Sequence, residues 1–315
     1  EIGAAPLAKA AAAPAAACEP PLWRSLAAGA GVGLTDLAFV YPLAVLACRR
    51  EAGMGFADAV RAGRLWSGAA TQLVLVPYSM LVEGGTRAVR SYAETSPLSA
   101  ALAVTLVVSA GLQPIEKKLV VDQLLQTAAA SAGPTASGAG AKAAAVAPAS
   151  SRAAVGLALE PVRQLVRFGQ AVGPVALYKG FVPLALREFI YISAISVVNP
   201  LAVAVSQRHF QHWSDQTLPQ AASAFCVGFT AGMLSAPVQT VNAMMKDERN
   251  RARSLASIVR EDVFGRGARA GVHRLFFGAA TRSARCGGAG VLYFSWRCIL
   301  GIDDAEAAPD AHDWA

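Results

Sequence analysis

Three times along this chain an apolar stretch of helical length meets a proline and then turns basic or polar. The prolines are Pro42 in VYPLAVLACRR, Pro114 in LQPIEKKLVVDQ and Pro237 in APVQTVNAMMKDE. Behind each comes a second mark: Leu65-Trp66-Ser67-Gly68, Leu177-Tyr178-Lys179-Gly180 and Leu275-Phe276-Phe277-Gly278. A new apolar run starts after each glycine. Three proline-marked runs alternating with three glycine-preceded runs predict six helices in three pairs. Such a recurrence is the mark of a repeat architecture, and its apolar runs place that architecture in a membrane.

The composition agrees with this. Of 315 residues, 54% are hydrophobic and 16% charged, against about 25% charged in an ordinary soluble domain. The runs predict spans at about 23–46, 67–89, 98–119, 182–205, 219–242 and 279–300, each near the roughly 20 residues that cross a bilayer. They are rich in Ala, Gly and Ser, as suits close helix packing in lipid. Gly29/Gly33 and Gly228/Gly232 both stand in GxxxG spacing. Asp36, Glu83, Arg187, Glu188 and Arg285 fall inside spans, where ionisable groups must face a bundle interior or aqueous cavity, or snorkel near an end.

The net charge of +7 is unevenly spread. From Lys246 to Arg274 there are eight Lys or Arg residues against four acids. Residues 49–64 are also basic, while the connections 87–97 and 206–218 are less charged. The odd-to-even connections therefore share one side of the membrane, the side that retains basic residues. No aromatic interleaving or nucleic-acid motif accompanies the basic run, so no nucleic-acid partner is expected. The five cysteines show neither disulfide nor metal spacing. His209 and His212, beside Trp213, read as surface residues. No phosphate-binding glycine loop or hydrolase nucleophile motif occurs, so we expect no enzymatic activity, no catalytic residue, no metal and no cofactor.

Residues 1–20 form an Ala/Pro-rich N-terminal extension. The chain starts at Glu1 rather than Met, which a removed presequence or a partial chain would explain. The expected units are 21–92, 93–205 and 206–302, followed by an acidic tail at 303–315. The second unit carries a low-complexity Ala/Gly/Ser/Pro insertion at 127–155, expected to be flexible, although its Ala run has helix-forming capacity.

These features resemble the mitochondrial carrier family. The match is fullest over 158–195, ALEPVRQLVRFGQAVGPVALYKGFVPLALREFIYISAI, and again in LFFGAATRSARCGGAGVLYFSW. Arg187 and Arg285 each lie seven residues after the glycine of their unit; the first unit has Leu75 there. The resemblance covers about residues 23–300. It implies an all-α membrane protein with six transmembrane helices in three tandem two-helix repeats, multi-pass in the mitochondrial inner membrane. Its prolines would kink the odd helices toward a common axis.

The departures from the family pattern are as informative as the match. The family follows each proline with an acid two positions on and a base three positions later. Here the units read Pro42, Ala44, Ala47; Pro114, Glu116, Leu119; and Pro237, Gln239, Asn242. No unit keeps the whole pair. At the other end, Glu83 and Arg297 stand near, but not in, the expected register. The resemblance implies cavity positions for Arg187 and Arg285, and Asp36 could face the same space. Arg187 and Arg285 could contact a small anionic solute or a lipid phosphate, or pair internally; Asp36 could be a cavity acid in contact with solute or lipid, or a capping acid at a break within the first helix after Gly29, Gly31 and Gly33. Bound phospholipid, cardiolipin included, fits those charges.

Loss of the gate pattern with retention of the fold marks leads us to expect an accessory or structural subunit. Its partners would be other membrane subunits of a larger mitochondrial assembly, in the respiratory chain or ATP synthase, and phospholipids. The alternative is a noncanonical transporter of a small anionic metabolite. A third possibility is a carrier-like protein of the outer membrane or another organelle.

Overall fold

The computed structural model describes residues 21–43, 45–46, 55–61, 73, 75–131, 163, 165–212, 216–247, 250 and 252–302. Ala44, Ala47, Gly68, both chain ends and most of the 127–155 insertion lie outside the described residues. Among those described, secondary structure is helical throughout. Six long runs account for most of it: α1 (Leu22–Leu43), α2 (residues 75–93), α3 (Pro97–Ser131), α4 (residues 181–209), α5 (Thr217–Lys246) and α6 (Ala279–Ile299). Each run packs on the next in chain order, and α6 packs back on α1.

The prolines do not stop the helices. Pro114 lies inside α3 and Pro237 inside α5. Pro42 is helical too, and a wide π turn at Asp36–Val40 precedes it. Another π turn, Ala194–Val198, stands before Pro200 in α4. A proline within a helix removes one amide donor and crowds the carbonyl four residues back, and a widened turn accommodates that carbonyl. The aromatic-rich glycine marks also have a local cause. Gly180 and Gly278 adopt φ of 91° and 80° at the N-caps of α4 and α6, a left-handed conformation that glycine enters without Cβ strain.

The 127–155 insertion begins differently from expectation. Helix α3 continues to Ser131, so residues 127–131 belong to it. Ala has the highest helix propensity, and extending an existing helix avoids the cost of nucleation.

The two GxxxG stripes seat α1 on α2 and α5 on α6. A Cβ on Gly29 would meet the Ser79 carbonyl of α2, and one on Gly33 would lie 2.6 Å from Val76 Cα. A Cβ on Gly228 would strike the Cys286 carbonyl of α6, and one on Gly232 would lie 2.6 Å from Ser283 Cα. Both pairings run antiparallel, since the partner number falls as the glycine number rises.

The core contains Val32, Val82, Val104, Leu184, Ile192 and Tyr293, drawn from α1, α2, α3, α4 and α6. Around it the usual polarity is inverted. Asp36, Glu83, Gln113, Glu188 and Arg297 are buried, whereas Leu34, Phe39, Val107, Val182 and Leu234 are exposed. A water-soluble bundle places such groups the other way round; a bundle in lipid encloses its charges. Among the described residues, four stretches are long and apolar enough to cross a membrane: Leu22–Leu43, Pro97–Lys118, Pro174–His209 and Thr217–Lys246. Helix α6 is less apolar because it carries Arg282, Arg285 and Arg297.

Candidate functional site

Buried charges form three groups within the helix ring. The first joins α3, α4 and α5 at their basic ends. Glu116, two residues beyond Pro114, receives hydrogen bonds on both carboxylate oxygens. Arg187 of α4 binds Oε1, and Lys246 Nζ of α5 binds Oε2 at 2.6 Å. Arg187 also donates from Nε to Glu188 Oε1 at 2.8 Å and from Nη1 to Gln239 Oε1 at 2.5 Å. Its guanidinium is thus shared among three acceptors on three helices. Asn242 is best oriented with its amide nitrogen donating to the Gly180 carbonyl at 3.2 Å and its oxygen accepting from Lys246 at 3.1 Å.

A set of lysine and glutamine contacts closes this end. Gln113 donates to the Lys179 carbonyl at 2.6 Å and to that of Leu177 at 3.4 Å. Lys117, 2% exposed, donates to the Ala176 carbonyl. Lys179 donates onward to the Asn250 carbonyl, and the Asn250 amide donates to the Met244 carbonyl at 2.9 Å. The turn before α4 is therefore fastened to α3 on one side and to the segment after α5 on the other. Positive φ at Gly180 lets the chain pass under Asn242 there, with no Cβ to displace the amide.

The second group lies toward the middle. Asp36 of α1 and Arg285 of α6 pair at 3.3 Å, with the arginine side chain 32% exposed. Tyr78 of α2 donates to Glu188 Oε2 at 2.6 Å, which ties α2 to the Arg187 group. Trp296 Nε1 donates to Thr35 Oγ1 at 3.2 Å beside the Asp36 turn.

The third group is at the opposite end. Arg297 of α6 grips Glu83 of α2 with Nε to Oε1 at 2.9 Å and Nη2 to Oε2 at 2.8 Å. Both side chains are under a tenth exposed. The α5/α6 pairing, with Gly228 against Cys286, sets Arg297 level with the start of α5. Lys246 ends the same helix, 28 residues beyond Leu218, about 40 Å away at 1.5 Å per residue.

Of the expected cavity residues, Arg187, Arg285 and Asp36 are all internally paired. Of the degenerate gate positions, Glu116, Gln239 and Asn242 meet in one cluster at the feet of Pro114 and Pro237. Leu119 lies on the α3 backbone beyond them, and Ala44 and Ala47 lie outside the described residues. Two participants escaped the sequence reading. Lys246 was assigned to the basic run after α5, although it supplies the cation that Asn242 does not. Arg297 was out of register with Glu83, yet a guanidinium on three methylenes reaches across that offset. Among the described residues, no cluster of His, Cys, Asp and Glu could hold a metal ion.

No family model matches this chain, and no curated protein matches it either. On its own geometry, the described part of the chain is all-helical and has the character of a multi-pass membrane protein, with several charged side chains enclosed between its helices.

Proposed function

We propose that the chain is a carrier-like protein of the mitochondrial inner membrane, six-helical and three-repeat, that serves as an accessory subunit of a larger membrane assembly. The observation that carries this reading is the engagement of Arg187 by Glu116, Glu188 and Gln239. An anionic solute drawn to this arginine must displace partners already placed for charge-assisted hydrogen bonding. The first unit supplies no ionisable residue at Ala44 or Ala47 to join the Glu116 cluster. The cluster therefore fastens α3, α4 and α5 without the three-fold exchange that a gate between three odd helices needs. The inner-membrane location rests on the family resemblance of the repeat. Purification in mild detergent followed by mass spectrometry tests the proposal. Co-purification with a defined set of membrane subunits is expected, and recovery only as a free monomer would refute it.

A second reading has its own observation. The Glu116–Lys246 and Glu83–Arg297 pairs stand at opposite ends of the bundle, as two alternately opening gates would. Arg285 is the most exposed of the interior arginines and holds Asp36 by one 3.3 Å contact. This reading makes the chain a transporter of a small anionic metabolite. Liposome uptake of labelled carboxylates, phosphates and nucleotides decides it: saturable exchange abolished by Arg285→Ala and Arg187→Ala would replace the accessory reading.

A further inference from the structure

Outside the helix ring, one cluster of cations has no partner among the described residues for most of its charge. It lies between the π turn Ile258–Val263 and the helix Ala268–Leu275, in the segment joining α5 to α6. The pocket there is lined by Asp262, Arg266, Arg269, His273 and Arg274. We propose that it binds a phosphate-bearing anion. The inference holds whether the chain is an accessory subunit or a transporter.

The charge balance inside the pocket is the main argument. Its one carboxylate, Asp262, is already engaged: Arg253 Nη1 donates to Oδ2 at 2.7 Å. Arg253 is further fixed by Glu261 at 2.9 Å and Asn250 at 2.9 Å. Arg274 spends one donor on the Asp262 carbonyl, at 2.7 Å, and that bond anchors its guanidinium at the pocket wall. Arg266 and Arg269 are exposed and make no hydrogen bond or ion pair with any described residue. Three guanidiniums and an imidazole thus line a cleft whose only acid is neutralised from behind. Planar forked donors of this kind match phosphate oxygens two at a time.

The placement of the pocket favours the same chemistry. It lies between the end of α5 at Lys246 and the N-cap of α6 at Gly278, at the end of the bundle where basic residues gather. On the same short helix Val272 is 52% exposed, and Phe276 just after it is 42% exposed. The phosphate could belong to a lipid headgroup, with Val272 and Phe276 against acyl chains, or to a soluble compound. The Arg253–Asn250–Lys179 contacts connect this pocket to the turn before α4, so an occupant would rest on the closed end of the bundle.

The test uses the full chain purified in a neutral detergent. Sodium pyrophosphate is titrated by calorimetry, and retention of dioleoyl-phosphatidylglycerol is compared with dioleoyl-phosphatidylcholine by native mass spectrometry. The variant is Arg266→Gln/Arg269→Gln, both on exposed side chains, with unchanged melting as its folding control. The comparison variant is Arg61→Gln, an exposed arginine whose partner among the described residues is Asp58, at 3.7 Å. The wild type should bind at least one phosphate probe, the double variant should lose about tenfold or more of that affinity, and Arg61→Gln should keep it. Loss confined to phosphatidylglycerol assigns the site to a lipid headgroup, whereas loss of both probes assigns it to the phosphate group itself. The proposal is overturned if neither probe binds the wild type, if the double variant retains binding, or if Arg61→Gln weakens binding equally.

Discussion

Replacing Glu116 with glutamine removes the single anion that Arg187 and Lys246 share, and the contacts allow the cost to be apportioned. Arg187 keeps Glu188 and Gln239, so its charge stays compensated. Lys246 has no such reserve. It is 1% exposed, and without Glu116 its described partner is the neutral amide of Asn242. Removing one partner of a buried pair costs about 3–5 kcal/mol, because the other charge is stranded. We expect Glu116→Gln to fall in that range, dominated by Lys246. Lys246→Met should cost less, since Glu116 keeps Arg187. The double variant Glu116→Gln/Lys246→Met should then be more stable than Glu116→Gln alone, with a coupling energy of about 1.5 kcal/mol or more. Thermal unfolding in one detergent, followed by circular dichroism, measures this. At about 2 °C per kcal/mol for a chain of this size, Glu116→Gln should melt roughly 6–10 °C lower. If Glu116→Gln behaves like a surface substitution, within about 0.5 kcal/mol, or if the two changes simply add, the shared-anion argument fails.

Further expectations follow from other contacts. Arg297→Met should strand Glu83 and lower the melting temperature comparably, and its effect should add to that of Glu116→Gln because the two pairs are about 40 Å apart; strong non-additivity in the same melts would contradict that separation. Gly228→Leu should abolish folding, since its Cβ meets the Cys286 carbonyl, whereas Gly111→Ala has open space and should stabilise α3 by up to about 1 kcal/mol; detergent-solubilised yield and melting distinguish them. Deleting residues 132–150 should leave the bundle intact, with a closure effect of about 0.6 kcal/mol per halving of the connection, and failure to insert into membranes would refute this. Ala44→Asp/Ala47→Lys should create no solute uptake in liposomes and should lower stability; uptake at unchanged stability would show a working path through the bundle.

The all-helical, multi-span character was legible in the sequence because its marks have backbone causes. Proline and glycine act through dihedral angles that do not depend on distant contacts. The turn at Gly180 and the cap at Gly278 were therefore found by reading alone, and so were the close-packed stripes at Gly29/Gly33 and Gly228/Gly232. The charged clusters were only half legible. Glu116, Gln239 and Asn242 were named because they hold fixed positions after their prolines. Lys246 and Arg297 were not assigned to pairs because a long cation can reach a carboxylate from several registers. Only the packing of α5 against α3 and α4, and of α6 against α1, selects one. The extension of α3 into the Ala-rich insertion depended on helix continuity, which composition weighs poorly against Gly and Pro further along.

Two buried acids of α1 and α2, Asp36 and Glu83, find their cations on α6, far along the chain, through Arg285 and Arg297. More than two hundred residues of chain separate each acid from its partner. Until α6 arrives, α1 and α2 lie in the membrane with two carboxylates that nothing described in the first five helices neutralises. A truncated or stalled chain would expose that imbalance to whatever surveys membrane proteins for unpaired charge. The α6 arginines thus act as a latch: the ring closes, and the charges of its opening pair are compensated, only once α6 has been delivered.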